Sequence, residues 1–359
     1  MRRRLQSIAV TRAALGGICF LAAVSLPGIG RAEDGLFVSK QLTPGGEYNK
    51  GIEGPAVDAA GDLFVVNIKI PGEAETLKGG IGQLKKATTQ SRFFTRLPPG
   101  GAGNGIRFDL QGRMYVADFK LHTIHVFEPG SKTPKPYFSA PPNSNGKPAF
   151  TQPNDLAIGR DGTLYASDPD FGHGTGRIWR ITRGPNGKGV GAVMTSSSTR
   201  PQGITNGLDL SPDNKTLYVS ESRVNNSDGT VKVKSAVYSY RIDNLKLADE
   251  FRVIEFPDKF DVDGLKVDTD GRIFVARPEA GEVVILVPPG SPGAPQAPVV
   301  TTGKNPNNLT FGGADGRDVY VTQNESGAKR FIERFRTDRP GREPCLQTPA
   351  PANCRPIAQ

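Results

Sequence analysis

The sequence predicts an all-β chain folded as a six-bladed β-propeller, with four-stranded antiparallel blades around a central channel. Three observations predict it: one hairpin motif recurs six times, its spacing stays near fifty residues, and almost no long helical periodicity interrupts it. The motif is a short apolar strand, a turn rich in Asp and Gly, and a second strand of Leu/Ile/Met/Val–Phe/Tyr–Val/Ala type.

The six copies are EGPAVDAAGDLFVVN from Glu53, NGIRFDLQGRMYVAD from Asn104, NDLAIGRDGTLYASD from Asn154, NGLDLSPDNKTLYVS from Asn206, DGLKVDTDGRIFVAR from Asp263 and NLTFGGADGRDVYVT from Asn308. Their turn positions are Gly61, Gly112, Gly162, Asn214, Gly271 and Gly316, at intervals of 51, 50, 52, 57 and 45 residues. Third strands are fainter, but GRIWRIT from Gly176 and GEVVILV from Gly281 fit that place. A ring leaves no open sheet edge only if its ends meet. GLFVSKQL, residues 35–42, is expected to supply the outer strand of the sixth blade. The Pro-rich stretch Val287–Pro298 reads as a surface loop between the fifth and sixth repeats.

Both ends lie outside the repeats. Residues 1–32 have a basic start, an apolar middle and a small-x-small end at Gly30-Arg31-Ala32, the pattern of an export signal. This implies cleavage before Glu33, a propeller domain over residues 33–337, and a periplasmic or secreted location. The apolar run is short, is broken by Gly16 and Gly17, and has no second span after it, which argues against a transmembrane segment. The leader carries five arginines and no acid, so its removal lowers the formal charge from +9 to +4. So mild a surplus gives no reason to expect a nucleic-acid partner. Cys345 and Cys354 then remain, in a Pro-rich tail over residues 338–359, and are expected to pair in an oxidising compartment as a staple on a tail with little other structure.

The functional signal is a column. The first residue of each copy lies eight positions before the turn: Glu53, Asn104, Asn154, Asn206, Asp263 and Asn308. In a propeller the first strand of each blade lines the channel, so a position repeated once per blade becomes a ring at one height. Two carboxylates and four amides converging there form an oxygen cage suited to a hard divalent cation, Ca²⁺ first, with Mg²⁺, Mn²⁺ or Zn²⁺ as further candidates. The competing reading of any one such residue is a strand start bonded to its own backbone. Chance does not readily fill all six places, because only about one residue in seven is Asp, Glu or Asn.

The segments EGP at Glu53, PND at Pro153–Asp155, NGL at Asn206–Leu208 and DGLKVDTDG at Asp263–Gly271 resemble the gluconolactonase and regucalcin (senescence marker protein) family over Glu53 to about Thr322. The resemblance implies a six-bladed propeller with one divalent cation on its axis, held by Glu53, Asn154, Asn206 and Asp263. It supplies no role for Asn104 or Asn308, which are candidates for holding water or substrate. No arginine is carried over to the family's substrate-binding positions.

A cation with open positions can polarise a lactone or ester carbonyl, and a carboxylate ligand can accept the proton of attacking water. Asp263 is the candidate for that double role, with Glu53 as the anchoring ligand. Residues six after each turn position, Asn67, Asp118, Asp168, Ser220, Arg277 and Thr322, are expected to form a mixed polar rim. Arg277 is a candidate for a substrate carboxylate or phosphate, although a solvated strand-end arginine competes. The loop DPDFGHGTG from Asp168 resembles the family's loop over the site and makes Phe171 and His173 candidate substrate contacts. His122 and His125 are read as structural. The reading is an exported metal-dependent hydrolase of a small lactone or related ester. Its rival is a non-catalytic propeller with a structural cation that binds a ligand or a protein partner.

Overall fold

In the computed structural model, the described residues are 35–74, 79–171, 175–196, 203–288, 299–325, 329–347, 350 and 354. Contacts divide the chain into Met1–Asp34 and Gly35–Gln359, and every described residue lies in the second unit. The leader, His173 and most of the Pro-rich loop after Val287 lie outside the described residues.

The second unit is the six-bladed propeller. Blade one is Tyr48–Val57, Leu63–Ile68, Gly80–Leu84 and Arg92–Arg96, in that order from the axis outward. Blade two runs from Gly103–Phe108 to Lys135–Phe138 and blade three from Leu156–Ile158 to Gly189–Val193. Blade four has the inner strands Ile204–Leu210 and Thr216–Ser222 and the outer strands Ala236–Asp243 and Lys246–Glu255. It also carries a fifth strand, Thr195–Ser196, paired in parallel at its outer edge, and a small hairpin of Val224–Asn225 with Val231–Val233. Blade five runs from Leu265–Val267 to Val299–Thr301. Both expected third strands are present, as Arg177–Arg183 and Glu282–Leu286.

Blade six closes the ring. Its strands Pro306–Gly312, Asp318–Asn324 and Arg330–Arg336 take their fourth partner from the other end of the chain, Lys40–Gln41, with Lys40 opposite Arg334. The stretch expected to join the two ends does so.

The turns explain the Asp/Gly signature. All six turn positions have positive φ, between 58° at Asn214 and 87° at Gly61, which glycine adopts without strain and asparagine tolerates. In blades one, two and five an Asp three residues earlier accepts two backbone N–H groups across the turn; Asp109, for instance, takes those of Gln111 and Arg113. Six apolar clusters of buried residues fill the wedges between neighbouring blades. Strands covered on both faces must be apolar on both, which is why the repeats read as near-continuous apolar runs. In the wedge between blades two and three, the Trp179 ring lies 5.6 Å from Phe138 and 5.3 Å from Phe150.

Candidate functional site

Four column residues lie on the innermost strands, and Asn154 and Asp263 lie two residues before theirs. Hydrogen bonds and charge link Glu53, Asn154, Asn206, Asp263 and Asn308. In four blades the pairing of the first two strands slips at or beside the column residue, at Glu53, Asn104, Asn206 and Asn308. Such bulges re-aim a side chain out of the sheet, here toward the axis. The residue after the column position is glycine in four copies because the strands crowd there. A Cβ on Gly54 would strike the Asn104 carbonyl, one on Gly105 would lie 2.9 Å from the Asn154 carbonyl oxygen, one on Gly207 would lie 2.6 Å from the Asp263 carbonyl oxygen, and one on Gly264 would strike the Asn308 amide. Each glycine thus lets its blade touch the next blade's column residue.

The ring is internally bonded. Glu53, 9 % exposed, accepts the Gly54 N–H and the Asn308 Nδ2 on one oxygen, both at 2.9 Å. Asn154 Nδ2 donates to Asn206 Oδ1 at 3.2 Å, and Asn206 Nδ2 donates to Ser222 Oγ at 3.2 Å. Asn308 is 1 % exposed, and its Oδ1 accepts the Leu309 N–H at 2.8 Å. There the strand-start reading holds, so Asn308 supports Glu53 rather than offering a free oxygen. Asn104 differs: its Oδ1 is buried and accepts no hydrogen bond.

Burial governs the two carboxylates. It pushes Glu53 up to about 7, with repulsion from Asp155 adding to the rise and the Gly54 and Asn308 donors and Lys266 opposing it. Asp263 is pushed well above the usual range, first by burial and then by Glu53, Asp261 and Asp155, against a hydrogen bond with Asn206. Both shifts are led by burial, and repulsion among the carboxylates adds to them.

The charges beneath the ring sharpen this. Fully buried Asp155 holds Arg107 Nη2 at 3.0 Å and Lys266 Nζ at 3.1 Å. Fully buried Asp209 holds Arg342 Nη2 at 2.7 Å, and Glu343 lies 2.8 Å from Arg107 Nε. Burial pushes Asp209 up, but Arg342, Lys266 and Arg107 outweigh it and hold the carboxyl below its ordinary range. With all six ionised this lower tier sums to zero, leaving the two negative charges of Glu53 and Asp263 above it. That surplus fits a divalent cation, and the orphaned Asn104 oxygen remains an acceptor without a donor. Among the described residues no group of three or more His, Cys, Asp and Glu side chains is arranged to hold a metal ion. A cage of two carboxylates and amides does not depend on such a group.

The expected polar rim is corrected. Asn67, Asp118, Asp168, Ser220, Arg277 and Thr322 are all buried, because the second strand turns them into the blade interior. Several of them hold the chain leading into the column. Asp168 accepts the N–H groups of Thr151 and Gln152, Asp118 accepts that of Ala102, and Ser220 Oγ donates to the Asp263 carbonyl at 2.5 Å. Arg277 is 5 % exposed and is neither solvated nor open to substrate. Its terminal nitrogens meet Asp258 at 2.5 Å and Glu282 at 2.6 Å, and its guanidinium lies 4.1 Å from the Phe256 ring centre. Phe171 is 51 % exposed, and its N–H donates to the Gln152 side chain at 2.9 Å, two residues before Asn154. His122 and His125 bond to the Thr151 carbonyl and to Asp118.

The lower tier escaped the sequence reading, though a signal was present. The third residue after the column position is Arg107 in NGIRF, Asp209 in NGLDL and Lys266 in DGLKV, a charge set between apolar residues of a buried strand.

A six-bladed propeller with a ring of acid and amide oxygens on its axis defines a class of axial-site propellers. A sequence model of the SMP-30/Gluconolactonase/LRE-like region matches residues 51–325, and the chain belongs to that family. A gluconolactonase of Zymomonas mobilis is 27 % identical over 206 residues, 52 % of each protein, so the chain spans about half the length of that curated relative. Among solved structures, a gluconolactonase of Xanthomonas campestris superposes with a TM-score of 0.61 at 20 % identity, covering 83 % of this chain and 89 % of that one. A calcium-binding regucalcin of Agrobacterium tumefaciens superposes with a TM-score of 0.58 at 16 % identity, covering 84 % and 98 %. At these identities the superpositions speak for the fold.

Proposed function

We propose that this chain is an exported hydrolase of a small lactone or related ester, dependent on a divalent cation, with Ca²⁺ as the first candidate. The observation that carries this is the linked set of column residues, in which Asn308 bonds Glu53, Asn154 bonds Asn206, and Asp263 feels the Glu53 charge and a hydrogen bond from Asn206. Glu53, Asn154, Asn206 and Asp263 would hold the cation. Kinship with a gluconolactonase and a superposition on a calcium-binding regucalcin support the same assignment. When bound, the ion supplies Lewis acidity at the reacting carbonyl.

The chain's own residues supply the rest. Asp263 accepts the proton of the attacking water and later returns it to the leaving oxygen, as a carboxylate beside the reacting carbon can. Glu53 anchors the cation, and Asn308 fixes the Glu53 carboxylate. Asn104 offers its unpaired oxygen to a donor on water or substrate. Phe171 presents an exposed ring on the face where the column begins, a surface for the apolar side of a lactone ring. Export rests on residues 1–32 and belongs to the proposal, as does a Cys345–Cys354 bridge, which the 5.3 Å between their Cα atoms supports.

The test is acid release from a panel of sugar and aliphatic lactones, comparing chelator-treated protein with protein reloaded with Ca²⁺, Mg²⁺, Mn²⁺ or Zn²⁺. Turnover that returns only on reloading is the expected result. Silence across the panel with the cation bound would transfer the assignment to a binding propeller.

A further inference from the structure

Residues 338–347 are not the loose tail that the proline content of 338–359 suggests. After Arg330–Arg336 the chain crosses the lower mouth of the channel. Thr269 N–H donates to the Pro340 carbonyl, Gly341 N–H to Gly316 and Arg342 N–H to Val267, each at 2.9 or 3.0 Å. Gly341 packs so closely on the Phe311 ring that a Cβ would collide with it. Arg342, 0 % exposed, then enters the channel. One of its terminal nitrogens bonds Asp209 at 2.7 Å and the Ile158 carbonyl at 3.0 Å, while the other lies 3.4 Å from Asn214 Oδ1. Glu343 faces Arg107, and Gln347 Nε2 donates to the Val57 carbonyl at 2.6 Å. This short run therefore touches blades one to six. It also lies beyond residues 51–325, where the family resemblance ends.

We infer that residues 338–347 are a built-in plug of the channel, and that Arg342 is a positioning residue for the axial site. Asp209 is the link. Its second oxygen accepts the Val267 N–H at 2.9 Å, next to Lys266 on the same strand. While Arg342 neutralises Asp209, Lys266 stays on Asp155, the neighbour of Asn154, and Arg107 is shared between Asp155 and Glu343. Without the Arg342 charge, Asp209 is a buried anion whose nearest remaining cations are Lys266 and Arg107. Drawing either away loosens Asp155, and with it the backbone that presents Asn154 and receives the Gly105 N–H at 2.8 Å. The plug thereby sets the floor on which the cation ligands stand.

The experiment compares Arg342→Met, Arg342→Lys, Asp209→Asn and the double variant Arg342→Met/Asp209→Asn in the full chain. Backbone hydrogen exchange and Ca²⁺ calorimetry are the readouts. Arg342→Met should speed exchange in 103–108, 204–210 and 265–267 but not in the outer strand 135–138. It should also weaken Ca²⁺ binding about tenfold, the usual size of an effect exerted from behind a ligand. Adding Asp209→Asn should restore both, because it removes the anion that Arg342 serves, and Arg342→Lys should fall between. If Arg342→Met does not fold, Asp209→Asn is read against the double variant. The single change leaves Arg342 a buried cation without its anion and should speed exchange in the same three strands. The double variant should exchange like the wild type, and equally fast exchange in the two would overturn the inference. Unchanged exchange in the three inner strands, a double variant no better than Arg342→Met, or a lowered melting temperature alone would overturn the inference. The affinity arm rests on the cation reading and the exchange arm does not. A wild type that binds no Ca²⁺ would sink the proposed function while exchange still decides the plug.

Discussion

Asn308 Nδ2 donates to Glu53 Oε2 at 2.9 Å, joining the sixth blade to the first across the seam of the ring. The bond uses a neutral donor to orient a carboxylate that burial alone would favour protonating. Asn308→Ala should therefore weaken cation binding about tenfold while leaving the fold intact. Calorimetry with Ca²⁺ measures the first, and the far-ultraviolet circular dichroism spectrum checks the second.

The two carboxylates should fail differently. Glu53→Gln and Asp263→Asn each remove half of the surplus charge, and both should abolish tight cation binding. At cation concentrations high enough to refill the site, Glu53→Gln should recover most of its turnover. Asp263→Asn should stay roughly 10²-fold or more below wild type in kcat, the scale of a lost general base. Equal recovery of the two would remove Asp263 from its proton-transfer role.

The cation-free protein should lose stability as pH rises. Glu53 sits at about 7 in the fold against an ordinary value of 4.5, raised first by burial. Ionising it costs more in the folded state than in the unfolded one, so its contribution is fully present below about 4.5 and is lost as pH climbs through about 7. Asp263 is shifted in the same direction and adds to the trend. Melting temperature with chelator should fall across that window, and saturating Ca²⁺ should flatten the fall. Parallel curves with and without Ca²⁺ would mean that the ion does not meet these carboxylates.

Gly54 has φ of +59° and no room for a Cβ beside the Asn104 carbonyl. Gly54→Ala should cost about 3 kcal/mol, from strain and overpacking together. Gly112→Ala, at a turn where the nearest neighbour is a Pro129 carbon 3.8 Å away, carries only the backbone strain and should cost less. Urea midpoints of the two variants give the comparison.

What the sequence disclosed follows from periodicity. Turn chemistry at Gly61 or Asn214 is local, and the column from Glu53 to Asn308 repeats once per blade, so both can be read from one chain. The rim could not be read that way. Asp168 and Arg277 are polar residues at strand ends, but burial decides whether they meet substrate or a neighbouring backbone, and burial depends on how far the second strand lies from the axis. Arg342 was less legible still. It repeats nothing, stands in a Pro-rich run, and owes its place to Asp209, a residue 133 positions away.

Ring closure fixes the order in which the molecule can be completed. The outer strand of the last blade comes from Lys40–Gln41, near the beginning, and its inner partners end at Arg336. Five blades can form as the chain emerges, each hairpin finding its neighbour locally. The sixth must wait for a pairing between distant ends, which carries the largest loop-closure cost in the molecule. Until then the edge of Arg330–Arg336 is open to any other strand, including Lys40–Gln41 of a second copy. Crowded refolding should therefore yield chains linked through exchanged first strands, and dilution should return them to single rings.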